Sequence, residues 1–258
     1  MAELNYLQLA LIGVIFIWSG VVRSGLGFGG SVMALPFLLL ILDEPLVFLP
    51  IISVHLLFFA GLTVWQNNRA LLMGGSEAPA NSTVDWPYLL RALGIMIVPK
   101  LIGVFGVLTL PNTVMSAIIY TIIGAYSISY IFNKPLKSKH PIVDVVFLML
   151  GGYISGTSLI GAPLIIAVFA NHVRKHQLRD TLFLLWIILV SIKMIAFILA
   201  GVNLQLIHHL WLLPCAGIGH VIGLQLHRWL LNSDTQTFMR VLGLALLVIC
   251  LVGLSQAF

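Results

Sequence analysis

Apolar residues form long uninterrupted runs along the chain, and polar residues are concentrated in short segments between these runs. A run of about 20 apolar residues matches the hydrocarbon thickness of a bilayer, about 30 Å, when it is helical. The pattern predicts six full membrane-crossing helices, at 46–65, 87–108, 112–132, 181–200, 207–229 and 236–257. We therefore expect an all-α polytopic membrane protein.

Two further apolar regions, 6–42 and 142–171, are each interrupted by a glycine-rich break. The pieces on either side of the second break have about 13 and about 10 residues, which at 1.5 Å per residue cannot cross the bilayer. Each region is therefore predicted to be a re-entrant hairpin of two half-helices that meet near mid-membrane. A discontinuous span in place of each hairpin is the alternative.

The order of these elements occurs twice. Four residues of the first half recur 131 positions later: Gly20, Ser24, Gly25 and Gly30 match Gly151, Ser155, Gly156 and Gly161. We predict a first repeat at 1–132, a second at 142–258 and a cytoplasmic linker at 133–141. One hairpin plus three spans makes an odd number of crossings, so the second repeat should be inverted relative to the first.

Composition supports a membrane protein and excludes several other classes. Charged residues make up 8% of the chain and apolar residues 60%, whereas about 25% of an ordinary soluble domain is charged. A soluble enzyme, a secreted disulfide scaffold and a nucleic-acid-binding domain are excluded. Cys215 and Cys250 both lie in apolar segments, so they predict neither a disulfide nor a metal cluster.

The basic residues orient the chain. Lysines in the linker, and Arg174, Lys175 and Arg179 after the second hairpin, predict two cytoplasmic loops by the positive-inside rule. Counting outward from these loops places both termini outside. The net charge of +5 is explained by these loops and does not indicate a nucleic-acid partner.

Cations without acidic partners occur at membrane depth. Arg23, Lys100 and Lys193 lie inside apolar segments, while all eight acidic residues lie in loops or at segment ends. A buried cation costs several kcal/mol unless backbone carbonyls, water or an anionic ligand compensates it. A half-helix that starts after each break would also direct N–H groups and a positive dipole end toward the membrane centre.

These features predict a substrate site for a small anion between the tips of the two hairpins. The candidate binding residues are Arg23, Gly27, Gly29, Gly30, Ser31, Lys100, Ser155, Thr157, Ser158, Gly161 and Lys193. No catalytic residue, metal or cofactor is expected, and the other expected partners are membrane lipids. The oligomeric state cannot be read from the sequence.

Two other functions stay open. A cation or metal permease would need acidic residues or clustered histidines at membrane depth, and the sequence has no acidic residue there. A non-transporting membrane scaffold would need no charged site. An enzyme is not expected, because the chain has no His-Glu-x-x-His motif and no aspartate pair within its spans.

The glycine motifs resemble those of a known family. Gly25-Leu26-Gly27-Phe28-Gly29-Gly30, followed by Pro36, resembles the first signature of the sulfite exporter TauE/SafE family. Ser155-Gly156 through Gly161-Ala162-Pro163 resembles its second signature, and Pro214, Gly219 and Gly223 resemble its usual ending. Ile160 departs from the pattern, since a glycine is expected there. The resemblance implies a bacterial inner-membrane permease for sulfur oxyanions or organosulfonates, often linked to export.

Overall fold

The computed structural model describes residues 4–26, 30–72, 83–134, 136–138, 140–230 and 235–257. In these ranges the chain forms ten α-helices and no strand: α1 (Tyr6–Leu26), α2 (Gly30–Ile41), α3 (Pro45–Leu72), α4 (Trp86–Thr109), α5 (Asn112–Ile131), α6 (Pro141–Ser158), α7 (Ala162–His172), α8 (Lys175–Leu199), α9 (Leu206–Leu230) and α10 (Thr235–Ala257). Seven of these helices contain described segments long and apolar enough to cross a membrane. The predicted all-α polytopic membrane protein is confirmed.

The outer surface of the bundle is apolar. Leu199, Leu210 and Phe105 are 82%, 78% and 68% exposed, and many other large apolar side chains share this surface. Smaller exposed apolar patches are usual on soluble proteins, so a surface of this kind is suited to lipid. The protein is a multi-pass membrane protein.

The first helix of each predicted hairpin is longer than a half-helix. α1 has 21 residues and α6 has 18, which at 1.5 Å per residue gives about 31 and 27 Å. α6 was expected to stop near residue 154 but continues to Ser158. The hydroxyls of Thr157 and Ser158 both donate to the Ile154 carbonyl at 3.0 Å, so their polar groups are satisfied inside the helix.

Each hairpin turns back along its own first helix. The Asp144 carboxylate at the start of α6 lies 2.8 Å from the His172 ring at the end of α7, so both ends of this hairpin are on one side of the bundle. A side chain on Gly161 would press against the Gly151 carbonyl. In the first hairpin, the Ser19 hydroxyl donates to the Gly30 carbonyl at 3.0 Å. The second helix therefore begins beside the middle of the first in both.

The packing of helices is paired across the two halves. α1 packs along α9 and α6 along α4, and these are equivalent pairs if α1–α5 correspond to α6–α10. Glycines permit the close approach in both: a Cβ on Gly20 would press against the Ala216 carbonyl, and one on Gly103 against the Tyr153 carbonyl. In each pair, residues further along one helix contact residues further along the other helix, so the paired helices run parallel.

The remaining equivalent helices face each other. α5 packs along α10, with Gly253 beside Tyr120 and Gly243 beside Ser127, so these two helices run antiparallel. Antiparallel equivalent helices are what an inverted second repeat requires. The inversion itself, and the repeat boundaries at 132 and 142, stay predictions.

Candidate functional site

A cavity lies beside the break between α1 and α2. Aromatic and aliphatic side chains from α1, α3, α8 and α9 form most of its wall. Its polar lining consists of Ser19, Arg23, Ser24, Ser31, His55, Arg179 and His220. None of the described residues that line it is acidic, so the cavity offers positive charge and hydrogen-bond donors in an apolar enclosure.

Arg23 lies in the last turn of α1 and extends into this cavity. Its Cζ atom lies 3.9 Å from the centre of the Phe59 ring, close enough for a cation–π interaction. Its Nη2 atom is buried and has no hydrogen-bond partner among the described residues. Leaving a buried charged donor without an acceptor is costly, so this nitrogen is ready to bind an acceptor from a ligand.

A polar pair also lies near the Phe59 ring. The Ser24 hydroxyl and His220 Nδ1 are 2.6 Å apart and connect α1 to α9. The donor in this pair depends on the imidazole tautomer. The His220 ring centre is 5.3 Å from that of Phe59, so Arg23 and His220 both contact this ring.

The two glycine-rich breaks meet at one wall of the cavity. The Ser31 hydroxyl, at the start of α2, donates to the Leu159 carbonyl just after α6 at 3.1 Å. Leu159 has φ 63°, in the left-handed region that a leucine rarely adopts. Its carbonyl thereby reaches the other break, and Leu159 and Ala162 line the cavity together with Gly30 and Ser31.

Lys100 and Lys193 are fully buried, and both bind the last turn of α6. Lys100 Nζ donates to the Ser155 carbonyl at 2.9 Å and to the Ser155 hydroxyl at 3.0 Å. Lys193 Nζ donates to the Thr157 carbonyl at 3.0 Å. The last four carbonyls of a helix lack partners within it and carry partial negative charge. The two ammonium groups therefore satisfy and stabilise this helix end.

The predicted binding residues therefore fall into those that line the cavity, those that are buried elsewhere, and those that lie outside the described residues. Arg23, Gly30 and Ser31 line the cavity, whereas Gly27 and Gly29 lie outside the described residues. Lys100 and Lys193 do not line the cavity and instead bind α6. Ser155, Thr157 and Ser158 are buried in the last turn of α6, and Gly161 packs against Gly151.

Five polar residues that line the cavity were absent from the prediction: Ser19, Ser24, His55, Arg179 and His220. Arg179 was assigned to a loop, but α8 begins at Lys175 and carries Arg179 to the mouth of the cavity. A helix predicted to start soon after Val173 would have included Arg179 in its first turns. His55 is buried, and neither of its ring nitrogens has a partner among the described residues.

Comparison with protein families gives one match that covers nearly the whole chain. The family described as sulfite exporter TauE/SafE matches residues 11–253. Comparison with curated proteins and with solved structures gave no match.

Proposed function

We propose an anion transport activity for this chain, which belongs to the sulfite exporter TauE/SafE family of membrane transporters. The substrate is a sulfur oxyanion or an organosulfonate, such as sulfite or sulfoacetate, and the direction is export. The site is the cavity at the α1–α2 break. Membership supports a small anionic substrate in a lipid environment; the choice of anion and direction is our proposal.

The unpartnered Nη2 of Arg23 is the observation that carries this proposal. It lies in a cavity whose described lining contains two arginines, three serine hydroxyls and two imidazoles, and no carboxylate. An oxyanion accepts several hydrogen bonds at once and pairs well with a guanidinium. A sulfonate headgroup at Arg23 would leave its carbon stem against Phe16 and Trp186, which also line the cavity.

Lys100 and Lys193 have a positioning role in this proposal. They hold the last turn of α6, and the next residue, Leu159, presents its carbonyl to Ser31 at the cavity wall. The lysines therefore act on the anion site through the backbone of the second break. Ser155, whose carbonyl and hydroxyl both accept from Lys100, belongs to the same support.

The alternatives receive less support from the site. A metal permease would need a cluster of ligands, and the described residues contain no group of three or more His, Cys, Asp or Glu side chains able to hold a metal ion. A scaffold without transport would not need an arginine left unpartnered in a cavity. Neither alternative has an observation that specifically favours it.

Uptake into proteoliposomes tests the proposal. Purified protein is reconstituted and exposed to labelled sulfite, sulfate, thiosulfate, sulfoacetate or rubidium, with Arg23→Gln as the inactive comparison and Arg174→Gln as the matched control. Arg174 is exposed at the start of α8 and does not line the cavity. Flux of a sulfur anion that is lost only in Arg23→Gln supports the proposal. Flux of rubidium without any anion flux contradicts it.

A further inference from the structure

A group of packed rings, which includes two buried histidines, lies at the cavity wall near Phe16. The His55 ring lies 5.0 Å from the Phe16 ring and 5.4 Å from the His209 ring, measured between centres. His55 is 3% exposed and His209 is 7% exposed. His55 comes from the middle of α3 and lines the cavity, whereas His209 comes from the first turn of α9 and does not line it.

These histidines have hydrogen-bonding atoms that nothing described satisfies. Both nitrogens of His55 and Nδ1 of His209 are buried without a partner. His209 Nε2 lies 3.2 Å from the Leu204 carbonyl, in the segment that precedes α9. Because buried polar atoms are nearly always hydrogen-bonded, three such atoms in neighbouring rings fit a bound water that bridges them.

The His55 and His209 rings lie at the end of the site that is opposite to Arg179 and His220. The mouth of the cavity contains Arg179, near the start of α8, and His220, in the second half of α9. His209 is eleven residues earlier on α9, which is about 16 Å at 1.5 Å per residue. Asn203 is exposed in the segment that His209 contacts. The histidines thus lie between the cavity and the opposite face of the membrane.

No carboxylate is among the described groups that line the cavity with His55. Arg23 of α1 and His209 of α9 are the described charged or titratable groups that interact with it. Arg179 of α8 and His220 of α9 share its cavity, and α2 contributes no titratable residue. A neutral imidazole accepts a proton at one nitrogen and releases one from the other, which a carboxylate pair would do in other transporters.

We propose that His55 and His209 form a proton path between the anion cavity and the membrane face at which α9 begins, so that anion movement is coupled to proton movement. This inference rests on the proposed anion transport. A proton from water binds the free Nδ1 of His209, passes through a bridging water to His55, and passes from His55 to the anion or water in the cavity. Each ring returns to its neutral form, so no proton is created or lost.

Proton flux in proteoliposomes tests the path separately from transport. Vesicles contain a pH-sensitive dye, and potassium with valinomycin holds the membrane potential at zero. An outward gradient of sulfite or methanesulfonate is imposed while labelled-anion exchange is measured in parallel. Methanesulfonate has no titratable group near neutral pH, so the dye then reports protons moved by the protein alone. The variants are His209→Gln and His55→Gln, and the control is His176→Gln, which is exposed in the first turn of α8.

We expect anion-driven proton flux in the parent protein and in His176→Gln. His209→Gln should keep anion exchange while its proton flux falls at least ten-fold, and His55→Gln should lose proton flux as well. Parent protein that exchanges anions without proton flux, or histidine variants that keep the parent's proton flux, would overturn the path and leave the proposed function standing. Absence of any anion exchange by the parent would overturn both.

Discussion

Replacing Arg23 with glutamine should weaken anion binding without unfolding the protein. The change removes the guanidinium that stacks on Phe59 and the buried Nη2 that lacks a partner. A hydrogen bond to a charged group is worth about 1.5–3 kcal/mol, and each 1.4 kcal/mol is a tenfold change in affinity. Loss of one such bond should therefore raise the Kd by about 10- to 150-fold. Arg23→Lys keeps the charge but loses the planar fork, so its Kd should lie between those of the parent protein and Arg23→Gln.

Trp186 provides a direct measurement of this binding because it lines the same cavity. Titration of detergent-solubilised protein with sulfite or sulfoacetate should change the tryptophan fluorescence, and the midpoint gives the Kd. Without anion, the thermal unfolding temperature of Arg23→Gln should be no lower than that of the parent protein, since Nη2 satisfies no protein group in the folded state. The argument would be refuted if Arg23→Gln bound anion with the parent's Kd, or if Arg174→Gln lost as much affinity.

Three further predictions address the break, the lysines and the orientation. Gly161→Ala should lower the thermal unfolding temperature, because its Cβ would press on the Gly151 carbonyl and overpacking costs about 1–3 kcal/mol. Gly217→Ala is the control, because Gly217 has open space around it. Equal unfolding temperatures of the two variants would contradict this prediction. Lys100→Met should lower the unfolding temperature by several degrees more than Lys175→Met, since the Ser155 hydroxyl loses its donor and the Ser155 carbonyl keeps only the Leu159 N–H. A single cysteine at exposed Lys137, in a chain without Cys215 and Cys250, should react with an impermeant maleimide only after cells are opened; labelling of intact cells would reverse the predicted topology.

Much of the fold could be predicted because bilayer thickness constrains helix length. The runs that predicted the long helices reappear as α3, α4, α5, α8, α9 and α10. The breaks were also found, because glycine clusters and short apolar pieces are unusual in membrane segments. The length of α6 was not predicted, since Thr157 and Ser158 resemble break residues until their hydroxyls are seen bonding back to Ile154.

The candidate site was harder to predict because it depends on contacts between distant segments. Ser31 and Leu159 are separated by 128 positions, and no sequence pattern shows that the hydroxyl of one reaches the carbonyl of the other. The left-handed conformation of Leu159 was equally hidden, because glycine is the residue usually associated with it. Arg179 was missed because a positive residue near the start of a membrane helix is normally assigned to the cytoplasmic loop that precedes it.

The buried cations show why residue type alone cannot identify an anion site. Lys100 and Lys193 are basic residues like Arg23 and are fully buried, and all three satisfied the same sequence criterion. The lysines find acceptors in the last turn of α6, where carbonyls at the negative end of the helix dipole accept hydrogen bonds from both amino groups. Arg23 also lies in the last turn of a helix, yet its Nη2 has no such acceptor. A cation whose donors find protein acceptors stabilises the fold. An unpartnered cation in a cavity lowers the stability of the fold, and a bound anion can restore that stability. Arg23 is therefore the cation to test first.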